Sequence, residues 1–202
     1  MRSAGGLRTP PAPAALQGRA VATPSTGIAG PRSDPGPNKE GILTHQPQIS
    51  VIVPHFNDLS RLDQCLEALC RQTIERDRFE IIVADNGPPS GRAEVDAAIA
   101  GRARLADAPI PGAGPARNAG VALSRGEILA FTDCDCIPAP GWLTAGVAAL
   151  DAADLVGGGM KVLVADEGRM TGTEAFETIF AFNNRRYVEE EHFSITANLL
   201  CT

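Results

Sequence analysis

Ile49-Ser50-Val51-Ile52-Val53-Pro54-His55-Phe56-Asn57-Asp58 is the stretch that decides the fold class of this chain. Its first five residues form a short, mainly β-branched apolar run between Pro47 and Pro54, which predicts a strand buried on both faces. Polar residues follow at once, and Asp58 or Ser60 can cap a helix there. Leu59, Leu62, Leu66 and Leu69 then recur at offsets that mark one helical face.

The same alternation continues downstream. Residues 79–84 (FEIIVA) predict a second buried strand ending in the turn signal Asp85-Asn86-Gly87. A short helix over 93–100 and a weak strand over 104–108 come next. Gly112-Ala113-Gly114-Pro115 opens a helix over 116–124, with proline suited to a first turn. Residues 127–132 (EILAFT) form another strand running into Asp133-Cys134-Asp135. Residues 140–150 are helical, and 155–164 are a strand pair or one strand broken by glycines. Over 174–188, Phe176, Ile179, Phe180 and Tyr187 fall on one helical stripe. Strands alternating with helices predict an α/β domain, a mostly parallel sheet with helices on both faces.

Composition separates a body from a tail. At 202 residues and 44% hydrophobic, the chain can bury one core of ordinary domain size. Eight of its sixteen prolines lie within residues 1–47, a stretch without helical or strand periodicity, so a disordered Pro/Gly/Ala-rich tail is expected there. Residues 1–40 carry +3; the rest holds 13 basic and 22 acidic side chains, or −9. An acidic body argues against nucleic acid as the main partner and suits carboxylates gathered around a divalent cation. The tail's weak charge is that of a solvated linker, with peripheral contact to an anionic surface as its other use. The basic start lacks the apolar segment of a secretory signal, and no stretch is long enough to span a membrane. Five cysteines, odd in number and without a spaced framework, indicate a reducing cytoplasm.

In such sheets, ligands gather beyond the carboxyl ends of the strands. Here those ends read Pro54-His55-Phe56-Asn57-Asp58, Asp85-Asn86 and Asp133-Cys134-Asp135. Taken singly, each is readily a turn or a cap; three acidic strand ends in one sheet point to a site. Alternate residues at a strand end project the same way, so Asp133 and Asp135 can reach one object. Carboxylates that close repel unless a cation lies between them, and Mg²⁺ or Mn²⁺ commonly takes one or two carboxylates, with a diphosphate and water completing its shell. Residues 112–120 (GAGPARNAG) are not a dinucleotide fingerprint, because Arg117 stands where the third glycine belongs. Arg117 and Asn118 in that helix's first turn can offer donors to a base, a phosphate or Asp133. The three histidines lack metal-ligand spacing, and no serine sits in a nucleophile elbow.

Residues 49–58, 80–87, 114–126 and 127–138, followed by Pro140-Gly141-Trp142-Leu143, together resemble the family 2 glycosyltransferases of GT-A fold, in order and spacing as well as content. The resemblance covers about 155 of the 202 residues. It implies a donor-binding domain at 48–202 that transfers a sugar, with inversion, from a nucleotide-diphosphate-sugar to a glycan or lipid-linked acceptor hydroxyl. Polysaccharide or cell-surface glycan synthesis, in the cytoplasm or at the inner face of the membrane, is the implied setting. By resemblance, Pro54 and Phe56 line the base pocket beside Asn57, Asp85 bonds the base or ribose, and Arg117 and Asn118 complete the pocket. Asp133 approaches the ribose and the metal, and Asp135 ligates the metal. The general base of the family lies downstream of a segment like Thr196-Ala197-Asn198-Leu199-Leu200, so none is assigned. The domain is expected to be incomplete at Thr202, leaving the stripe over 174–188 without its packing partner. Two other readings remain: a non-catalytic nucleotide-binding module, and a haloacid-dehalogenase-type phosphohydrolase, whose aspartate loop resembles Phe131–Asp135 but wants threonine or valine where Ile137 stands.

Overall fold

The structure is a computed structural model that describes residues 47–88 and 91–202, together with the backbone of 19–23. Arg19–Thr23 (β1) pairs antiparallel with Gly159–Leu163, so this part of the expected tail is a strand. A five-residue strand on a distant edge leaves no periodic mark in the sequence around it. The rest of the expected tail lies outside the described residues.

Ile49–His55 (β2) is the central strand and is buried along its whole length. It pairs in parallel with Phe79–Asp85 (β3) on one side and Ile128–Phe131 (β5) on the other. Arg104–Asp107 (β4) extends the sheet in parallel beyond β3. Past β5 come Leu199–Cys201 (β8) and Leu155–Gly157 (β6), giving the order β4-β3-β2-β5-β8-β6. β8 runs antiparallel to both its neighbours. The sequence pattern did not predict this strand, because three residues are too few to show a period. Gly159–Leu163 (β7) leaves the main sheet to pair with β1.

Alternation along β2 feeds two cores. Ile49, Val51 and Val53 pack with Leu62, Leu66 and Leu69 of Leu59–Cys70 (α1), Val95 and Ile99 of Arg92–Ile99 (α2), and Trp142 and Leu143 of Trp142–Leu150 (α4). Ile52 instead joins Ile82, Phe131 and Ala116 of Ala113–Leu123 (α3) on the opposite face. Helices therefore cover both faces, as the pattern predicts. α3 begins three residues before its predicted start, with Gly112 as N-cap. It lies very close to the sheet at Gly120, where a Cβ would come 2.6 Å from Ile52 Cγ2.

The stripe over 174–188 is two helices rather than one, Gly172–Phe180 (α5) and Asn184–Glu189 (α6). Each has its own cap: Thr171 and Glu174 form a capping box, and Asn183 accepts from Arg186 N–H. A second capping signal inside a continuous apolar period is what splits the stripe. Phe176, Ile179 and Phe180 are exposed at 58%, 70% and 64%.

At the opposite edge of the sheet from its carboxyl ends, Glu80 anchors a polar network. It accepts from Ser50 Oγ at 2.7 Å, Arg104 Nη1 at 2.6 Å and Arg125 N–H at 2.7 Å. Gly126 N–H donates to Ser50 Oγ at 2.9 Å, so the α3–β5 loop is tied to β2 and β3. Burial alone would raise the Glu80 carboxyl, but Arg104, Ser50 and the Arg125 N–H hold it below its ordinary value. A lowered folded value means stability that is present above the unfolded value and is lost as pH falls through the folded one. Glu80→Gln should therefore cost about 1.5–3 kcal/mol at neutral pH, and the deficit should shrink in acid. Urea unfolding of both proteins across that range checks this; a deficit independent of pH would count against the network.

Candidate functional site

β3 and β4 lie on one side of β2 and β5 on the other, so the chain reverses its direction of progress across the sheet between β2 and β5. At such a switch point the loops leaving adjacent strands diverge and open a crevice. A cavity of about 480 Å³ lies there. Pro54, His55, Phe56, Asp58 and Arg61 line it from the end of β2 and the start of α1. Gly112, Ala113, Ala116 and Arg117 line it from α3, and Asp133, Cys134 and Asp135 close it beyond β5.

Asp133 and Asp135 do reach one cavity, though not by strand alternation. β5 ends at Phe131, and Asp133–Cys136 is a turn closed by Cys136 N–H donating to Asp133 O at 3.0 Å. A tight turn brings both carboxylates round to the same side. Arg117 Nη2 donates to Asp133 Oδ1 at 2.5 Å, while Arg117 Nε is buried with no hydrogen-bond partner among the described residues. Burial, and next the Asp133 charge, raise the Asp135 carboxyl above its ordinary value; Arg61 works in the opposite direction. Burial, then Asp135 and Asp133, push the Cys134 and Cys136 thiols up to about 12, so they stay protonated at neutral pH.

The remaining residues picked out by sequence divide between the cavity and its surroundings. Phe56 lines the cavity and is 63% exposed, so its side chain is accessible there. Asn57 is exposed, with φ 51°, and makes the turn after β2. Asp85 is buried behind the cavity wall, where its Oδ1 accepts from His55 Nδ1 at 2.9 Å and Gly87 N–H at 3.2 Å. Asn118 is exposed and does not line the cavity.

Sequence reasoning passed over several lining residues. Asp58 was legible as a cap and as the acid of the first strand end, and it is the cap: it accepts from Arg61 N–H at 3.2 Å and pairs with Arg61 Nη1 at 3.1 Å. The three-residue spacing of an acid and an arginine in a first helical turn could have shown Arg61 as well. Asn86 read as a turn residue, yet it fixes the wall between β4 and α3. Its Nδ2 donates to Ala108 O and to Ile110 O (2.7 Å for the latter), and its Oδ1 accepts from Gly112 N–H at 2.6 Å.

Among the described residues, no cluster of three or more His, Cys, Asp and Glu side chains could hold a metal. Two carboxylates in one cavity, one of them raised by burial and by its neighbour, fit a hard cation that takes its other ligands from a diphosphate and water. They do not fit a closed structural site with an all-protein shell.

Residues 50–200 match the family described as Glycosyl transferase family 2. The chain is 31% identical over 159 residues to the glycosyltransferase AglE of Haloferax volcanii, a match covering 76% of this chain and 52% of that protein. It is 31% identical over 113 residues to validoxylamine A glucosyltransferase of Streptomyces hygroscopicus subsp. jinggangensis, covering 54% of this chain and 27% of that one. The chain thus spans at most about half the length of these relatives. Among solved structures, glucosyl-3-phosphoglycerate synthase of Mycobacterium tuberculosis, in complex with Mn²⁺, UDP and glucosyl-3-phosphoglycerate, shares the fold. The TM-score is 0.51 at 19% identity, covering 77% of this chain and 57% of that one.

Removing the Asn86 side chain should loosen the cavity wall without unfolding the protein. In Asn86→Ala the Gly112 amide loses its acceptor, and its hydrogen exchange should quicken about tenfold, the equivalent of one hydrogen bond. Amides of β2 and β3 should be unaffected; unchanged exchange at Gly112 would mean that the loop is held by something else.

Proposed function

Because the chain belongs to glycosyltransferase family 2 and carries its GT-A fold, we propose that it transfers a hexosyl-type sugar from a nucleoside-diphosphate-sugar donor to an acceptor hydroxyl, with inversion. The observation that carries the proposal is that Asp133, Asp135, Arg117, Pro54 and Phe56 line one cavity at the sheet's switch point. The donor-binding unit is residues 48–202. Glycan or lipid-linked acceptors of polysaccharide or cell-surface glycan synthesis, met in the cytoplasm or at the inner face of the membrane, suit a donor of this class. Among the described residues no helix is long and apolar enough to cross a membrane.

The residues divide the work by chemistry. Phe56 offers its exposed ring to the face of the base, and Pro54 gives that pocket a rigid floor. Arg117 holds Asp133 by one oxygen, which fixes the carboxylate's direction and leaves the other oxygen available. Asp133 and Asp135 would hold Mg²⁺ or Mn²⁺. When bound, such an ion offsets the negative charge that develops on the departing nucleoside diphosphate. Arg61 from α1 and Arg117 from α3 both line the cavity and supply positive charge there. Deprotonating the acceptor hydroxyl needs a carboxylate within hydrogen-bond reach, and none is assigned. Glu189 pairs with Arg185, and Glu190 and Glu191 pair with Arg186 on the surface of α6, which occupies them elsewhere.

Titration with a panel of nucleoside diphosphates, with and without Mn²⁺, tests this. One member should bind more tightly with Mn²⁺, and Asp135→Asn should abolish that gain. Replacing a direct ligand should cost at least the about 10- to 100-fold typical of a group that merely supports one. Binding indifferent to Mn²⁺ and to Asp135→Asn would favour a nucleotide-binding module without metal chemistry.

A further inference from the structure

His55 is buried at 2% exposure, touches the cavity, and bonds to both sides of it. Its Nδ1 lies 2.9 Å from Asp85 Oδ1, at the end of β3. Its Nε2 receives the Asp58 backbone N–H at 3.1 Å, at the N-cap of α1. A ring nitrogen that accepts carries no proton, so Nε2 is bare and Nδ1–H donates to the Asp85 carboxylate. Both nitrogens are thereby used, and the ring has one orientation that satisfies them.

The two partners belong to different halves of the cavity. Asp85 leads straight into Asn86, which clamps the wall over 108–112, and it accepts the Gly87 N–H that shapes the same turn. Asp58 holds Arg61, and those two groups line the cavity together with Asp133, Cys134 and Asp135. One imidazole therefore joins the wall on the nucleoside side to the wall on the diphosphate side.

On the reading of the cavity as a nucleotide-sugar site, we propose that His55 is a positioning residue that sets these two walls independently, Nδ1 through Asp85 for the nucleoside and Nε2 through Asp58 and Arg61 for the metal-bound diphosphate. Neither wall requires His55 to touch the reacting atoms. Each nitrogen has its own amide mimic. Asparagine places an amide near the Nδ1 position and keeps the bond to Asp85. Glutamine reaches the Nε2 position and keeps the bond from Asp58.

Calorimetric titration of the nucleoside diphosphate preferred by the unaltered protein gives two separable readouts, metal-free affinity and the gain on adding Mn²⁺. His55→Asn should keep the metal-free affinity and lose about tenfold of the Mn²⁺ gain; His55→Gln should do the reverse. Equal losses of both readouts in both variants, or no loss in either, overturn the proposal. If the unaltered protein binds no nucleoside diphosphate, the reading of the cavity itself has failed, and that is seen before any variant is made. Ring ¹⁵N shifts of His55 in the unaltered protein supply a check that needs no substitution. A protonated Nδ1 with a bare Nε2 is expected, and the opposite tautomer overturns the proposal.

Discussion

Two like charges, one residue apart in a partly buried turn, set the terms on which the rest of the site is built. Unit charges about 5 Å apart repel by about 3 kcal/mol at an effective dielectric of about 20, and burial adds a desolvation cost to each. Asp133 meets this with the Arg117 guanidinium, while Asp135 keeps a raised carboxyl despite Arg61. Placing acids beyond β5 in this way would be a poor solution for stability alone. It makes sense where a cation and a diphosphate complete the arrangement, and the surrounding residues are disposed accordingly. Arg117 comes from α3, Arg61 from α1, and both line the cavity that the acids close.

The fold supplies these groups from rigid elements. β2 is buried on both faces, its one mid-strand polar side chain, Ser50, is taken up by Glu80, and the residues that line the cavity emerge at its carboxyl end. Gly120 lets α3 settle against Ile52, which fixes how far Arg117 projects over the end of β5. At the far edge, the Ser50–Glu80–Arg104 network ties β2, β3 and β4 to the loop before β5. The register of the parallel strands is thus secured at one end, and the loops at the other are left to carry the site.

Much of this was legible in the sequence for a specific physical reason. Buried strands and amphipathic helices write their periods into ten or so residues, so β2, β3, β5, α1 and α4 could be read locally. What escaped reading depends on partners far along the chain. β8 is a three-residue strand whose place comes from β5 and β6, and β1 depends on the β7 edge. The stripe over 174–188 had the correct apolar positions, but the caps at Thr171 and Asn183 divide it. The Asp133–Asp135 pairing was found with a mistaken geometry, since a turn replaces the strand end. His55 and Asn86 were hidden more thoroughly, because their roles lie in hydrogen bonds to Asp85 and Gly112, residues that no local pattern connects to them.

Asp85 shows how the two kinds of information combine. Its place at the end of a buried strand makes it a candidate in the sequence, yet its carboxylate sits behind the wall with one oxygen committed to His55 and to Gly87 N–H. A buried carboxylate with two donors on one oxygen is held in a fixed direction, with little freedom to search for a ligand. Its contribution then runs through what it holds as much as through what it touches. The imidazole it bonds also accepts the Asp58 N–H through its other nitrogen, at the turn that presents Arg61. The two walls of this cavity thus meet at a single ring, each held through its own nitrogen, although they come from separate strands.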